Sequence, residues 1–100
     1  MGMVKKLKSP KKLERHFKGV ANHRRIQILL LLDKSPDMTL ENILEELGAN
    51  QKTISGHTYR LVVSGLVEKS YQGRQVLHRL TPYGKEFAQF IQTFSKHGSK

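Results

Sequence analysis

The stretch LENILEELGANQKTISGHTYRLVVSGLV, residues 40–67, holds two helical patterns back to back. In the first, Leu40, Ile43, Leu44 and Leu47 recur at i, i+3, i+4 and i+7, one narrow apolar stripe. Thr39 is a good N-cap, Met38 and Ile43 hold the two staple positions, and Glu41 sits in the first turn, where the helix dipole favours an anion. Only Gly48, Ala49 and Asn50 separate this helix from the next, which Asn50 caps and Gly65 ends. At about 100° per residue, Ile54, Thr58, Leu61 and Val62 fall on one side of the second helix. Lys52, Ser55, Gly56, Tyr59 and Val63 fall on the other, with no aliphatic residue before Val63. The first helix has a stripe to bury; the second has a polar, partly basic face to offer.

Downstream, the period shortens from helix to strand. LVEKSYQGRQVLHRL, residues 66–80, reads as two β-runs around Gln72-Gly73-Arg74, with Val67, Lys69 and Tyr71 alternating on one and Val76, His78 and Leu80 on the other. Thr81-Pro82 is then a cap followed by proline at the first helical position, and Tyr83, Phe87, Phe90, Ile91 and Phe94 form one stripe of a last helix. Upstream, Ser9 and Pro10 open a short helix carrying Leu13, Phe17 and Val20, which Gly19 is expected to end. Asn22 caps HRRIQILLLLDK, residues 23–34, apolar almost all round and hence a central helix. Two helices joined by a three-residue, glycine-containing turn suggest a helix-turn-helix, and the hairpin behind them makes it winged. The expected fold is mainly α with one small β-hairpin, in the order α-α-α-α-β-β-α. Its expected divisions are a basic leader at 1–9, the folded domain at 10–95 and a polar tail at 96–100.

A chain of 100 residues is one domain, and its 37% hydrophobic and 26% charged residues fit a globular protein. No apolar run approaches the ~20 residues a membrane span needs, and no apolar segment follows the basic start, so neither a membrane nor a secretory route is expected. The absence of cysteine removes disulfides and thiolate chemistry and is compatible with the cytoplasm. The net charge is +10, unevenly spread: nine Lys/Arg against one acid in residues 1–30, one against five in 31–48, and eight against two in 49–100. Two basic blocks around an acidic one suit a polyanionic partner, because each phosphate neutralised releases counterions.

With these elements in place, the chain resembles the ArsR-type winged-helix transcriptional regulators. ANHRRIQILLLL (21–32), residues 40–67 as quoted, and GRQVLHRLTPYGKEF (73–87) carry the resemblance, which spans roughly residues 20–90. It implies a homodimer packed through its terminal helices on a pseudo-palindromic stretch of double-stranded DNA, most simply as a repressor. Leu13, Phe17, Phe87, Phe90, Ile91 and Phe94 suit the dimer interface. The resemblance assigns DNA contacts to Gln51, Lys52, Ser55 and Gly56, early in the second helix, and puts the wing tip at Gly73 and Arg74; Thr53, Tyr59 and Arg60 complete the candidate set. Glutamine can pair bidentately with adenine, and lysine and arginine can contact phosphate. The chain departs from the family pattern at Gly56, usually larger and polar, at Thr58, usually a core leucine, and at Val63, usually charged. The cysteines of the thiolate metal sensors are absent. No residue pattern names an effector.

Other chemistries find no footing. His16, His23, His57, His78 and His97 show no H-x-x-H or H-x-x-x-H pairing, so no metal or other cofactor is expected. Ser55 and His57 stand about 160° apart on their helix, so they cannot form a catalytic pair, and no enzyme is expected. The lysines at 5, 6, 8, 11 and 12 read as a solvated run or as an arm tracking DNA. A second use of the same fold is protein docking without specific DNA binding, through the acidic helix before Gly48, Val63 and the long last helix.

Overall fold

The computed structural model describes residues 7–97, so the expectations for residues 1–6, Lys5 and Lys6 among them, and for 98–100 lie outside the described residues. Five helices and one hairpin follow in the order α1 (Pro10–Val20), α2 (His23–Lys34), α3 (Leu40–Leu47), α4 (Gln51–Val63), β1 (Val67–Gln72), β2 (Gln75–Leu80) and α5 (Pro82–Ser95). This is the α-α-α-α-β-β-α winged arrangement that the sequence leads one to expect.

Side-chain caps start each helix. Ser9 accepts from the Lys12 amide, Asn22 from Arg24 and Arg25, Asn50 from Lys52 and Thr53, and Thr81 from Gly84. Thr39 and Asn42 cap reciprocally, each side chain accepting from the other's backbone N–H. Each cap satisfies amides that the helix cannot, worth about 1 kcal/mol. Gly48 ends α3 in the left-handed region at φ 61°. Gly65, at φ 80°, ends α4: its N–H bonds the Val62 carbonyl and the Leu66 N–H the Leu61 carbonyl, both at 3.0 Å. That pairing is a Schellman motif, and it sets Leu66, fully buried like Leu61 of α4, at the start of the wing.

The core is built around α2, which touches α1, α3, α4, β2 and α5. Its Ile28, Leu29 and Leu32 pack in one cluster with Ile43 of α3, Ile54 and Leu61 of α4, Leu66, Val67, Leu80 and Ala88. The hairpin pairs Val67 with Leu80 and Gln72 with Gln75, leaving Gly73 and Arg74 as a two-residue loop. A positive φ of 61° at Gly73 alone is the pattern of a type II′ turn, whose twist matches that of the strands. Val67, Lys69, Tyr71, Val76, His78 and Leu80 share one face, as the alternation suggests, but Lys69 and Tyr71 are exposed because the hairpin outruns the body it packs on.

One local expectation needs correction. Gly19 does not end α1; the helix runs through it to Val20, with Ala21 as cap. Gly19 is buried there, and a Cβ on it would lie 2.2 Å from Ser64 Cβ, so glycine lets α1 press against the end of α4. In α5 the stripe Tyr83, Phe87, Phe90, Ile91, Phe94 lies mostly at the surface of the chain, and small residues beside it meet the core. Gly84 and Ala88 are buried, Phe87 and Ile91 are half-buried, and Phe90 and Phe94 are exposed. Gly84 lets α5 sit close to Leu66, Phe87 and Ile91 pack against the rim of the core, and Phe90 and Phe94 stand in solvent.

A link absent from any local pattern fastens the wing. Met38 and His78 exchange both backbone hydrogen bonds, at 3.2 and 2.8 Å, and the His78 Nδ1–H donates to the Met38 carbonyl at 3.0 Å. Burial, with Lys69 opposite it in the register adding repulsion, holds the imidazole below its ordinary pKa despite the Met38 bond. The unfolded chain therefore binds this proton more readily. The stability it supplies is complete above the unfolded value, about pH 6.5, and is lost as pH falls through the lowered folded value. The midpoint of thermal unfolding, followed by circular dichroism, is expected to fall between pH 7 and pH 5, and His78→Leu to flatten that dependence.

Candidate nucleic-acid interface

Helix α4 meets the body with Ile54, Thr58 and Leu61, all buried, and with half-buried Val62 and His57. Gln51, Lys52, Thr53, Ser55, Gly56, Tyr59, Arg60 and Val63 are all exposed. Tyr59 keeps 61% and Val63 49% of its surface in solvent, so even the large residues of this face lack cover. Asn50 occupies the first amides of the helix, leaving the Gln51 and Lys52 side chains unengaged among the described hydrogen bonds. A Cβ at Gly56 would meet nothing within 4 Å, so no internal contact requires glycine there. The helix contains no acid.

Cationic flanks border this face on both sides. The wing stands along one edge, and between it and α4 lies an open trough of about 720 Å³ whose walls include Ser55, Tyr59, Lys69, Arg74 and His78, with Glu41 of α3 at one side. Gly73 and Arg74 are exposed at its tip. The other edge carries Arg60 beside Arg15, Lys18 and Arg25, where α1 approaches the end of α4. The candidate DNA-contacting residues thus share one side of the molecule, while Leu13, Phe17, Phe87, Phe90, Ile91 and Phe94 lie on α1 and α5. Phe17 meets Phe87 edge-on at 5.1 Å and Phe90 stacks on Phe94 at 5.6 Å, which merges the two helices' aromatic residues into a patch. Phe17, Phe90 and Phe94 are 53%, 57% and 66% exposed, a surface that the described residues leave uncovered.

Arg25 is a positioning residue that sequence patterns did not single out. Its Nε donates to His57 Nδ1 at 3.1 Å and its guanidinium also donates to the Lys18 and Gly19 carbonyls, so it ties α4 to α2 and to the end of α1. Partial burial, then the Arg25 charge, then His23 and Arg24 depress the His57 pKa. His57 therefore accepts a hydrogen bond inside the fold rather than facing a ligand. Among the described residues no three of His, Asp or Glu gather to hold a metal ion.

Two helices at a three-residue turn, an uncovered second helix and a hairpin alongside define a winged helix-turn-helix protein. The model of the family described as bacterial regulatory protein, arsR family, matches residues 22–69, and over those residues the chain is similar to that family. The family and the fold are those of DNA-binding transcriptional regulators. Among solved structures, Mb0332 from Mycobacterium bovis, described as a homodimeric winged helix-turn-helix DNA-binding domain and a possible ArsR-family transcriptional regulator, superposes with a TM-score of 0.77 at 27% identity, covering 90% of this chain and 89% of that one. HlyU from Vibrio cholerae gives 0.76 at 24% identity, covering 85% and 92%. The transcriptional repressor PagR of Bacillus anthracis gives 0.75 at 18%, covering 81% and 93%. At their lower identities the HlyU and PagR likenesses bear on the fold alone. A comparison with curated proteins gives no significant match.

Proposed function

We propose that this chain is a homodimeric, sequence-specific DNA-binding transcriptional repressor. Two copies of α4 enter successive major grooves of a pseudo-palindromic operator, about 34 Å apart, and each wing grips the neighbouring backbone or minor groove through Arg74. The observation that carries this reading is the acid-free, wholly uncovered face of α4 between two cationic edges. A major groove is wide enough to admit such a helix. Lys52, Arg60 and Arg74 serve phosphates. Gln51, Thr53, Ser55 and Tyr59 stand where base edges would be, and Gly56 lets the duplex come close. The dimer is closed by the aromatic patch of α1 and α5, a reading supported by the homodimeric description of Mb0332. Residues 10–95 form the domain that does this work, in the cytoplasm. No described helix is long and apolar enough to cross a membrane.

Fluorescence anisotropy with labelled genomic fragments tests the proposal. With six to ten phosphates neutralised, affinity is expected to fall about 10³–10⁵-fold between 50 and 200 mM salt. Lys52→Glu weakens binding to every sequence by roughly 10²-fold and lowers the salt slope by about 0.9 for each phosphate no longer neutralised. Gln51→Ala instead relaxes preference at one or two base pairs by about 1–3 kcal/mol. Weak, salt-indifferent binding to all duplexes would overturn the proposal.

A further inference from the structure

His16 stands on α1 and is 2% exposed. Its Nδ1 lies 2.7 Å from the Ser64 carbonyl oxygen at the end of α4. A carbonyl only accepts, so Nδ1 carries the hydrogen. The ring stacks on Tyr83 of α5 at 5.0 Å, and the Lys8 ammonium lies 4.6 Å over the Tyr83 ring. Its other nitrogen, Nε2, is buried with no hydrogen-bond partner among the described residues. Buried polar atoms are seldom left unpaired, because an unmade bond costs the desolvation without the return. His16 also lines a recess of about 390 Å³, and the other walls are all cationic: Lys8, Lys11, Lys12 and Arg15. Glu14 does not neutralise them. It pairs with Lys18 at 2.9 Å and reaches only Lys11, at 3.7 Å. The Arg15 guanidinium and the His16 ring edge also approach Gly65 together: each lies 3.4 Å from where a Cβ on Gly65 would stand.

We propose that this recess is a binding site for a small oxyanion, inorganic phosphate or a phosphomonoester, which completes the hydrogen bonding of His16. A hydrogen phosphate has both kinds of group the recess calls for. Its O–H can donate to a bare Nε2 and its remaining oxygens accept from Arg15 and the lysines; an imidazolium Nε2–H would be met by an oxygen instead. The site lies apart from the α4 face and the wing, yet the same ring holds the last turn of α4 through Ser64. Ligand bound here is thus one hydrogen-bonded ring away from the end of the helix proposed to enter the major groove.

Long-range ¹H–¹⁵N spectra of the histidine rings in the full chain, titrated with inorganic phosphate against chloride at constant ionic strength, test the site. The expected result is a saturable shift of His16 Nε2, followed by the Ser64 and Gly65 amides and not by the wing tip. Arg15→Gln is expected to weaken binding by about tenfold or more. His16→Asn keeps an N–H near the Nδ1 position for Ser64 while deleting Nε2, and is expected to abolish the amide shifts. If that variant does not fold, Arg15→Gln and Lys12→Gln carry the test. A shift that does not saturate, or that these variants leave unchanged, overturns the proposal. So does a His16 shift produced by a DNA duplex and not by phosphate alone, since the recess would then be a contact for the nucleic-acid backbone.

Discussion

Replacing Phe90 and Phe94 together by aspartate is expected to leave a folded monomer whose affinity for a two-half-site operator is lower by about 10²–10⁴-fold. Both rings stand more than half in solvent, at 57% and 66% exposure, and α5 is anchored instead by buried Gly84 and Ala88 and by the N-cap Thr81. The single chain therefore loses little, whereas two carboxylates buried across a two-fold interface have no partner and would each cost several kcal/mol. Without the interface the second half-site is no longer engaged at the high effective concentration that linkage provides. Sedimentation equilibrium reads the mass, circular dichroism the fold, and anisotropy the affinity. A variant that stays dimeric would place the two-fold axis elsewhere on the molecule.

Gly84→Ala is the single-methyl change expected to harm the fold most. A Cβ there would lie 2.0 Å from the Leu66 carbonyl oxygen and 3.1 Å from its carbon, both backbone atoms that cannot turn aside. The same carbonyl accepts the Thr81 N–H at 3.0 Å, so relief by lifting α5 breaks the bond at the start of that helix and opens the packing of Ala88. The cost belongs at the upper end of overpacking, about 3 kcal/mol, from a domain whose whole stability is of the order of 5–15 kcal/mol. A fall in the thermal midpoint of roughly 10–20 °C is expected by calorimetry. Gly56→Ala is the internal control. It sits in a helix with open space around it, so alanine should stabilise the fold by about 0.8–1 kcal/mol. If it does so and also weakens DNA binding, glycine at 56 serves the duplex and not the protein.

What could be read from the sequence divides by range. Caps, turn glycines and apolar periods act within a few residues, so Thr39, Asn50, Thr81-Pro82, Gly48, Gly65 and Gly73 disclosed the element order. The same 100° rule separated the buried side of α4 from its open one. Contacts between distant segments left no local mark. Gly19 resembles a helix stop until Ser64 is seen against it, and Gly84 looks like a gap in an aromatic stripe until Leu66 is placed beneath it. The His78–Met38, His16–Ser64 and Arg25–His57 bonds span 40, 48 and 32 residues. In the candidate interface the polar face was therefore legible, while its brace through Arg25 and its second cationic edge near Arg15 and Lys18 were not.

The seat of Gly19 on Ser64 has a consequence for how DNA would be measured. With α1 pressed on the last turn of α4, and His16 and Arg25 bonded across the same corner, the proposed recognition helix and the α1 part of the proposed two-fold interface are packed and hydrogen-bonded to each other. A dimer so built would act as a calliper. One extra base pair between half-sites adds about 3.4 Å of separation and roughly a tenth of a turn of rotation. A tightly packed corner would absorb little of that change, so in the proposed dimer the spacer length would be read as well as the bases.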